Sequence, residues 1–516
     1  MIRQPSAFLF YLGVLALAGA ATVYLAASKM GPGVSTDGAV MLSAADNLAR
    51  GRGLLNYSGV PLTQFAPLYS GLVALGSLVF HADIFLVAWV LSGATFGLTI
   101  WFSGLYCWQV FAEEPLLAYF ASFIVCSSVS LIQIFANVAS DPLFLLLVVL
   151  YLTSMTAYLR SGKLATLFVT GGLVILACFL RYAGLALVIA GALVLAVYKR
   201  SQPRKALLYS AAFGIATGLP ILLWGYLRNL PVSGYAFGAR QVSIPTINFT
   251  TGVEKLLYWF IPFRIIARVG ALPLFLVLLA GLVLIALATK PQNLLRRLLQ
   301  PGVLPSALFV AVYSGVLIFN ISTPELKGIN TDRVHIIMLP SLLIVLFKGL
   351  AHLMEEARRR IGSRWMYAAL LMLFLAWTSY PLSRSHEYVR ASMSEGDVSS
   401  YNSINDGNVR ESPLARYLAS LDLAHRQLYS NGGDSAWLLT HELIAPMPML
   451  PSDDRLATLK QEYGNWPGAG QQGYLVWFYG EAYKTAYARP EELSKIAHLE
   501  QVYADERAVV YLVTPR

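Results

Sequence analysis

From residue 7 to residue 380 the chain alternates between long apolar runs and short polar breaks. Runs at 7–27, 84–111, 116–135, 142–158, 164–180, 183–197, 206–227, 271–288, 305–321, 334–347 and 365–380 carry almost no charge. Many approach the ~20 residues that an α-helix needs to cross a bilayer. The run at 67–80 is short for that, and reads as a helix half-buried in one leaflet. The pattern therefore predicts an α-helical polytopic membrane protein with about eleven spans.

Beyond residue 380 the pattern changes. Ser, Asp, Asn, Glu and Arg return, and no run is long enough to span. Short strands are predicted at 426–430, 473–478 and 508–513, with helices at 436–443 and 490–496. That alternation predicts a small C-terminal α/β domain. The expected organisation is a membrane domain over 1–380, with a first outer loop over 30–66, and a domain outside the membrane over 381–516. No internal repeat or low-complexity tract interrupts it.

Charge sets the expected orientation. Basic clusters at 160–163, 199–205, 290–297 and 358–364 all fall on one side of the predicted spans. The positive-inside rule makes that side cytoplasmic, which also puts the N-terminus inside. The apolar run after Arg3 is longer than a signal-peptide core, so it reads as an uncleaved first span. The C-terminal domain then lies on the periplasmic or extracytoplasmic side of a bacterial inner membrane. Composition agrees, with 57% hydrophobic residues, 13% charged and a mean hydropathy of +0.59. The net charge of +10 follows from this topology, so no nucleic-acid partner is expected. Cys107, Cys126 and Cys178 all sit inside apolar runs and offer neither a disulfide framework nor metal-ligand spacing.

Basic residues on the outer side need another reason, and there are several. Arg181, Arg228, Arg240, Lys327 and Arg333 fall at outer ends or in outer loops, with Asp37, Asp141 and Glu325 as carboxylates on the same side. Arginines with a few carboxylates in an outward cavity suit an anionic phosphate and a sugar undergoing transfer. No nucleotide pool exists there, which favours a lipid-carried donor.

Each residue also has a plainer reading. Asp37, in Val34-Ser35-Thr36-Asp37-Gly38, is either a general base or a helix N-cap. Ser140-Asp141-Pro142 is strong helix-start chemistry, so Asp141 is either a cap or a second acidic group of the cavity. Arg181 either snorkels to headgroups or holds phosphate. Arg228-Asn229 and Arg240 bracket a loop that either cradles a phosphate or is solvated. Glu325, Lys327 and Arg333 crowd one span entrance, as ligands or as ion pairs. The stretch 253–269 interleaves aromatic and basic residues as an interfacial helix does. There is no P-loop, HExxH or CxxC motif.

Several short motifs occur in a telling order. They are Thr36-Asp37-Gly38, Ala45-Asp46-Asn47-Leu48, Gly51-Arg52-Gly53, Phe65-Ala66-Pro67-Leu68-Tyr69, Arg228-Asn229, and Arg333 ahead of Pro340. Together they resemble bacterial GT-C glycosyltransferases, in the branch related to protein O-mannosyltransferases and the lipid A aminoarabinose transferase. The resemblance covers roughly the first 350 residues. It implies inverting transfer of a hexosyl or pentosyl group from a polyprenyl-phosphate sugar to a glycan, lipid or protein acceptor. It implies Asp37 as catalytic base, with Asp141, Arg181, Arg228, Asn229, Arg240, Arg333, Lys327 and Glu325 around the substrate. No cofactor is required by this reading, although Asp37 and Asp141 are able to share a divalent metal. A transporter or flippase of a lipid-linked saccharide is the alternative, and a structural subunit a third.

Overall fold

The computed structural model describes residues 5–29, 31–238, 249–288, 296–320, 332–361, 363–395, 412–423, 425–450, 455–468, 470–479 and 487–516. It is mostly helical. Among the described residues, six helices are long and apolar enough to cross a membrane: Ser6–Ala26, Ile84–Val110, Asp141–Ser161, Pro203–Ser233, Asp332–His352 and Arg364–Met393. Four shorter apolar helices, Leu68–Phe80, Leu164–Leu180, Tyr182–Tyr198 and Leu304–Leu317, accompany them.

The run at 116–135 is not one straight helix. It is a pair, Pro115–Ser127 and Val129–Phe135, bent by 51°. The cause is local: Ser128 leaves the helical region, and its hydroxyl accepts from the Leu131 amide at 3.4 Å. A serine that caps a new helix inside an apolar run interrupts the first one. The expected interfacial helix at 253–269 is likewise two helices, Phe249–Tyr258 and Phe263–Val269. Pro262 ends the intervening turn as the N-cap of the second. The last long helix, Ser363–Glu395, runs well past residue 380 with Pro381 inside it.

The chain forms two compact units. One comprises residues 1–28, 63–68 and 89–394. Its core is apolar and aromatic, and Tyr106, fully buried, donates to the Gly302 carbonyl at 3.0 Å and pairs with Ser306 Oγ at 2.7 Å. Phe8 packs on Trp108 with ring centroids 4.4 Å apart.

The other unit comprises residues 29–62, 69–88 and 395–516. It contains a five-stranded sheet of order β2-β1-β3-β5-β4. The strands are β1 (Gln427–Ser430), β2 (Ile444–Ala445), β3 (Gly473–Phe478), β4 (Ala497–Ala504) and β5 (Ala508–Pro515). β1 runs parallel to β2 and β3, whereas β5 is antiparallel to both β3 and β4. Leu459, Leu475, Leu493 and Val513 are wholly buried in its core. The sequence pattern does not predict β4, and the reason is its position. It is an edge strand whose residues, Ala-His-Leu-Glu-Gln-Val-Tyr-Ala, are mostly partly or fully exposed, so no period-2 alternation marks it.

Candidate functional site

The first unit builds an arginine–carboxylate cluster from three distant segments. The Asp141–Ser161 helix starts with Ser140 as N-cap, Asp141 first and Pro142 in the opening turn. Ser140 takes the expected N-cap position, although its side chain makes no cap hydrogen bond, and Asp141 is the first helical residue and not the cap. Asp141 instead turns its carboxylate, 1% exposed, to the Arg181 guanidinium in a close ion pair. Arg333 approaches the same oxygen, Nε to Oδ2, at 3.5 Å. Arg181 Nη1 also donates to Ser140 Oγ at 3.2 Å. The arginine side chains keep 20% and 18% exposure. A carboxylate this deeply buried is tolerated only when paired. Two guanidiniums against one carboxylate give these three side chains one more positive than negative charge, the balance that suits an anionic ligand.

Backbone geometry places Arg181. The Leu164–Leu180 helix ends with Arg181 in extended conformation, and a short 3-10 turn, Tyr182–Gly184, reverses the chain. A Cβ at Gly184 would lie 2.6 Å from the Ala177 carbonyl carbon and from the Cys178 amide nitrogen. Only glycine permits so close a return. Arg333 sits in the short Asp332–His335 helix, which is anchored by the Trp259 indole donating to Asp332 Oδ1 at 2.6 Å. The Phe249–Tyr258 segment is held in turn by Tyr380, whose hydroxyl donates to the Tyr258 carbonyl at 2.8 Å, and by Arg384 stacked 4.0 Å from the Tyr258 ring centre.

Arg228 and Asn229 end a five-residue π-helical turn, Gly225–Asn229. Such turns recur at functional sites because they re-aim side chains. Asn229 is fully buried. Its amide nitrogen donates to Tyr182 Oη at 2.9 Å and to the Ala236 carbonyl at 3.0 Å, and its oxygen accepts from Arg228 Nη1 at 3.0 Å. Tyr182 Oη donates to the Thr63 carbonyl at 3.0 Å. Asn229 thus works as a clamp, joining the Arg228 turn to the Arg181-Tyr182 turn. The Arg228 guanidinium also stands 5.0 Å over the Trp224 ring, a cation–π contact that holds it in place.

Two participants carry no signal in the sequence. Tyr313 lies in the middle of an apolar run, yet is within electrostatic range of Arg181, Asp141 and Arg333, and donates to the Val334 carbonyl at 3.2 Å. Tyr182 is adjacent to a candidate arginine, but its role as hydrogen-bond hub depends on residues 47 positions away.

Asp37 belongs to the other unit. The cap alternative is overturned there: Ser35 is the N-cap of the Thr36–Ala49 helix and accepts from the Gly38 amide at 3.3 Å. Asp37 is half-buried in the first turn, where the helix dipole favours a carboxylate. Its neighbour Thr36 donates to Asp434 Oδ2 at 3.0 Å, and the Ile444 amide donates to the Tyr57 carbonyl at 2.8 Å. The loop carrying Asp37 is thereby fastened to β2 and to the Gly433–Thr440 helix. Farther on, Asp46 pairs with Arg50 at 3.0 Å and Arg52 at 4.0 Å, next to Gly51 and Gly53 at φ +74° and +93°.

Arg240, Glu325 and Lys327 lie outside the described residues. Among the described residues, no three His, Cys, Asp or Glu side chains converge as a metal site requires.

No protein-family model matches this chain, and no curated protein matches it in sequence. Solved structures do match in fold. The crystal structure of ArnT from Cupriavidus metallidurans in the apo state aligns with a TM-score of 0.59, 14% identity and 97% of each chain covered. The same protein bound to undecaprenyl phosphate aligns with a TM-score of 0.55, again at 14% identity and 97% coverage of both chains. The chain therefore shares the fold of ArnT along nearly its whole length.

Proposed function

We propose that this protein is an inverting membrane glycosyltransferase that moves a sugar from a polyprenyl-phosphate donor to an acceptor outside the cytoplasm. The observation that carries the reading is the Asp141–Arg181–Arg333 cluster, a net-positive site in the fold of a protein crystallised with undecaprenyl phosphate.

The chemistry asks two things of the chain. Asp37 takes the proton from an acceptor hydroxyl, or orients an acceptor amine, as the acceptor attacks the anomeric carbon. The bond between that carbon and the phosphate oxygen breaks, and its electron pair leaves with the polyprenyl phosphate. Arg181 and Arg333 stabilise the charge that develops on that oxygen, an effect worth ~2.7–4 kcal/mol for a single well-placed donor. Asp141 keeps both guanidiniums aimed. In this reading Arg228, Asn229, Arg240, Lys327 and Glu325 complete the donor pocket around phosphate and sugar.

The test is a deletion strain complemented with wild type or Asp37→Asn, scored for cell-envelope glycans and lipid-linked sugars. With the variant folded and abundant, one glycan is expected to lose a sugar while its polyprenyl-phosphate donor accumulates. Full restoration of the glycan by Asp37→Asn rejects the carboxylate as base, and transport of a lipid-linked saccharide then becomes the better reading.

A further inference from the structure

We propose that the end of the helical bundle opposite the Asp141 cluster holds a second ligand site, shaped for the zwitterionic phosphoethanolamine headgroup of a membrane phospholipid. A cavity of about 720 Å³ opens there, lined by Glu113, Glu114, Arg296, Arg297, Lys348 and Glu355. Its distance from the first site follows from one helix. Asp141 begins the 21-residue Asp141–Ser161 helix, and Arg160, near its other end, donates to the Gln109 carbonyl at 2.8 Å. Val110 and Phe111, the next residues, line the cavity. At 1.5 Å per residue the helix separates the two sites by ~30 Å, about the hydrocarbon thickness of a bilayer.

The lining divides into committed and uncommitted charges. Arg297 pairs with Glu355 at 2.6 Å, and Tyr367 donates to Glu114 Oε2 at 2.7 Å. Glu113, Arg296 and Lys348 form no hydrogen bond or ion pair among the described residues. Lys348 is half-buried on one of the long apolar helices, Asp332–His352. Glu113 lies within electrostatic range of its ammonium without closing an ion pair, and a charge in such a segment marks a functional position.

The uncommitted set is two cations and one carboxylate. Its complement is a ligand with one anionic group, to lie between Arg296 and Lys348, and one cationic group, to face Glu113. A phosphodiester with a primary ammonium a few bonds away supplies both. A purely anionic headgroup leaves Glu113 facing like charge, and a purely cationic one leaves the two basic residues unanswered. The site's place at a bundle end puts the headgroup at the membrane surface, so the source is a lipid and not a free zwitterion. This inference does not depend on the glycosyl-transfer reading.

Native mass spectrometry of the full chain in detergent tests it, with phosphatidylethanolamine, phosphatidylglycerol and water-soluble glycerophosphoethanolamine as probes. Phosphatidylethanolamine is expected to be retained about fivefold or more over phosphatidylglycerol, the size of one charge-assisted contact. Glu113→Gln should abolish that preference, Lys348→Gln should weaken retention of both lipids alike, and Lys348→Arg should keep wild-type retention. The wild-type competition needs no variant, so a variant that fails to fold does not blunt the test. Equal retention of the two lipids overturns the proposal. Binding of glycerophosphoethanolamine in place of the lipid overturns the lipid source.

Discussion

Asp141 shows how much of this site hides from a linear reading. Its sequence context, Ser-Asp-Pro, is so good a helix start that capping accounts for it completely. The structure gives the carboxylate another task, because residues 40 and 192 positions away bring their guanidiniums to it. Neither separation has a periodicity, so neither was legible. Asp141→Asn should therefore harm the fold as well as the site. It leaves Arg181 and Arg333 crowded without their counter-charge, and breaking a buried pair typically costs ~3–5 kcal/mol. The expected result is a clear drop in melting temperature in detergent, whereas Arg333→Ala, which removes the more distant partner, should lower it less than half as far. In the sheet-bearing unit, Glu492 carries a pH dependence. Hydrogen bonds from Arg455, at 2.9 and 3.0 Å, hold its carboxyl below its ordinary value of 4.5, even though partial burial works the other way. A depressed carboxylate stabilises the fold fully above its unfolded value, and the contribution is lost as pH falls through its lower folded value. The contribution is ~1 kcal/mol or less, since both side chains keep 22% exposure and solvent screens the pair. Glu492→Gln should flatten the stability profile between about pH 5 and pH 3 and leave the neutral range slightly lowered.

Helices and turns were far more legible than contacts. Apolar runs marked Leu164–Leu180 and Ala271–Ala288 to the residue, because helix length and hydropathy are local properties. The bend at Ser128 was missed because one serine hardly lowers the hydropathy of its run. The edge strand β4 was missed because half-exposed strands lack alternation. Gly184 was also silent, as glycine is common in apolar helices, yet the turn that carries Arg181 depends on it. Gly184→Ala places a methyl group against backbone atoms that cannot rotate away. The expected cost is ~1–3 kcal/mol, read as reduced thermal stability. If the turn yields instead of the helix, Arg181 moves off Asp141, and the variant should lose the glycan at normal protein abundance.

For the whole molecule, the fold survives at an identity where no sequence family answers. What persists is the arrangement of helices, and the apolar runs that form them were visible in the sequence. The charge pattern makes a prediction about orientation. Single cysteines at Lys163 and Lys199 should react with a membrane-impermeant maleimide only from the cytoplasmic side, and one at Ser420 only from the outside. The native thiols give little background, since Cys107 and Cys178 are buried and Cys126 is partly so. Labelling of Lys163→Cys from outside would invert the topology and put the Asp141 cluster on the wrong face for an external acceptor.

The compact unit that holds Asp37 draws its residues from widely separated parts of the chain. Thr36 closes on Asp434, Tyr57 on Ile444, and the sheet behind them is completed only by β5, at residues 508–515. During synthesis the loop therefore emerges some 400 residues before its partners leave the ribosome, and the helices encoded between them must be placed in the interval. A nascent chain would carry the Asp37 loop without its Asp434 and Ile444 partners. The fastening of this loop is therefore a late event of synthesis, however early its residues are made.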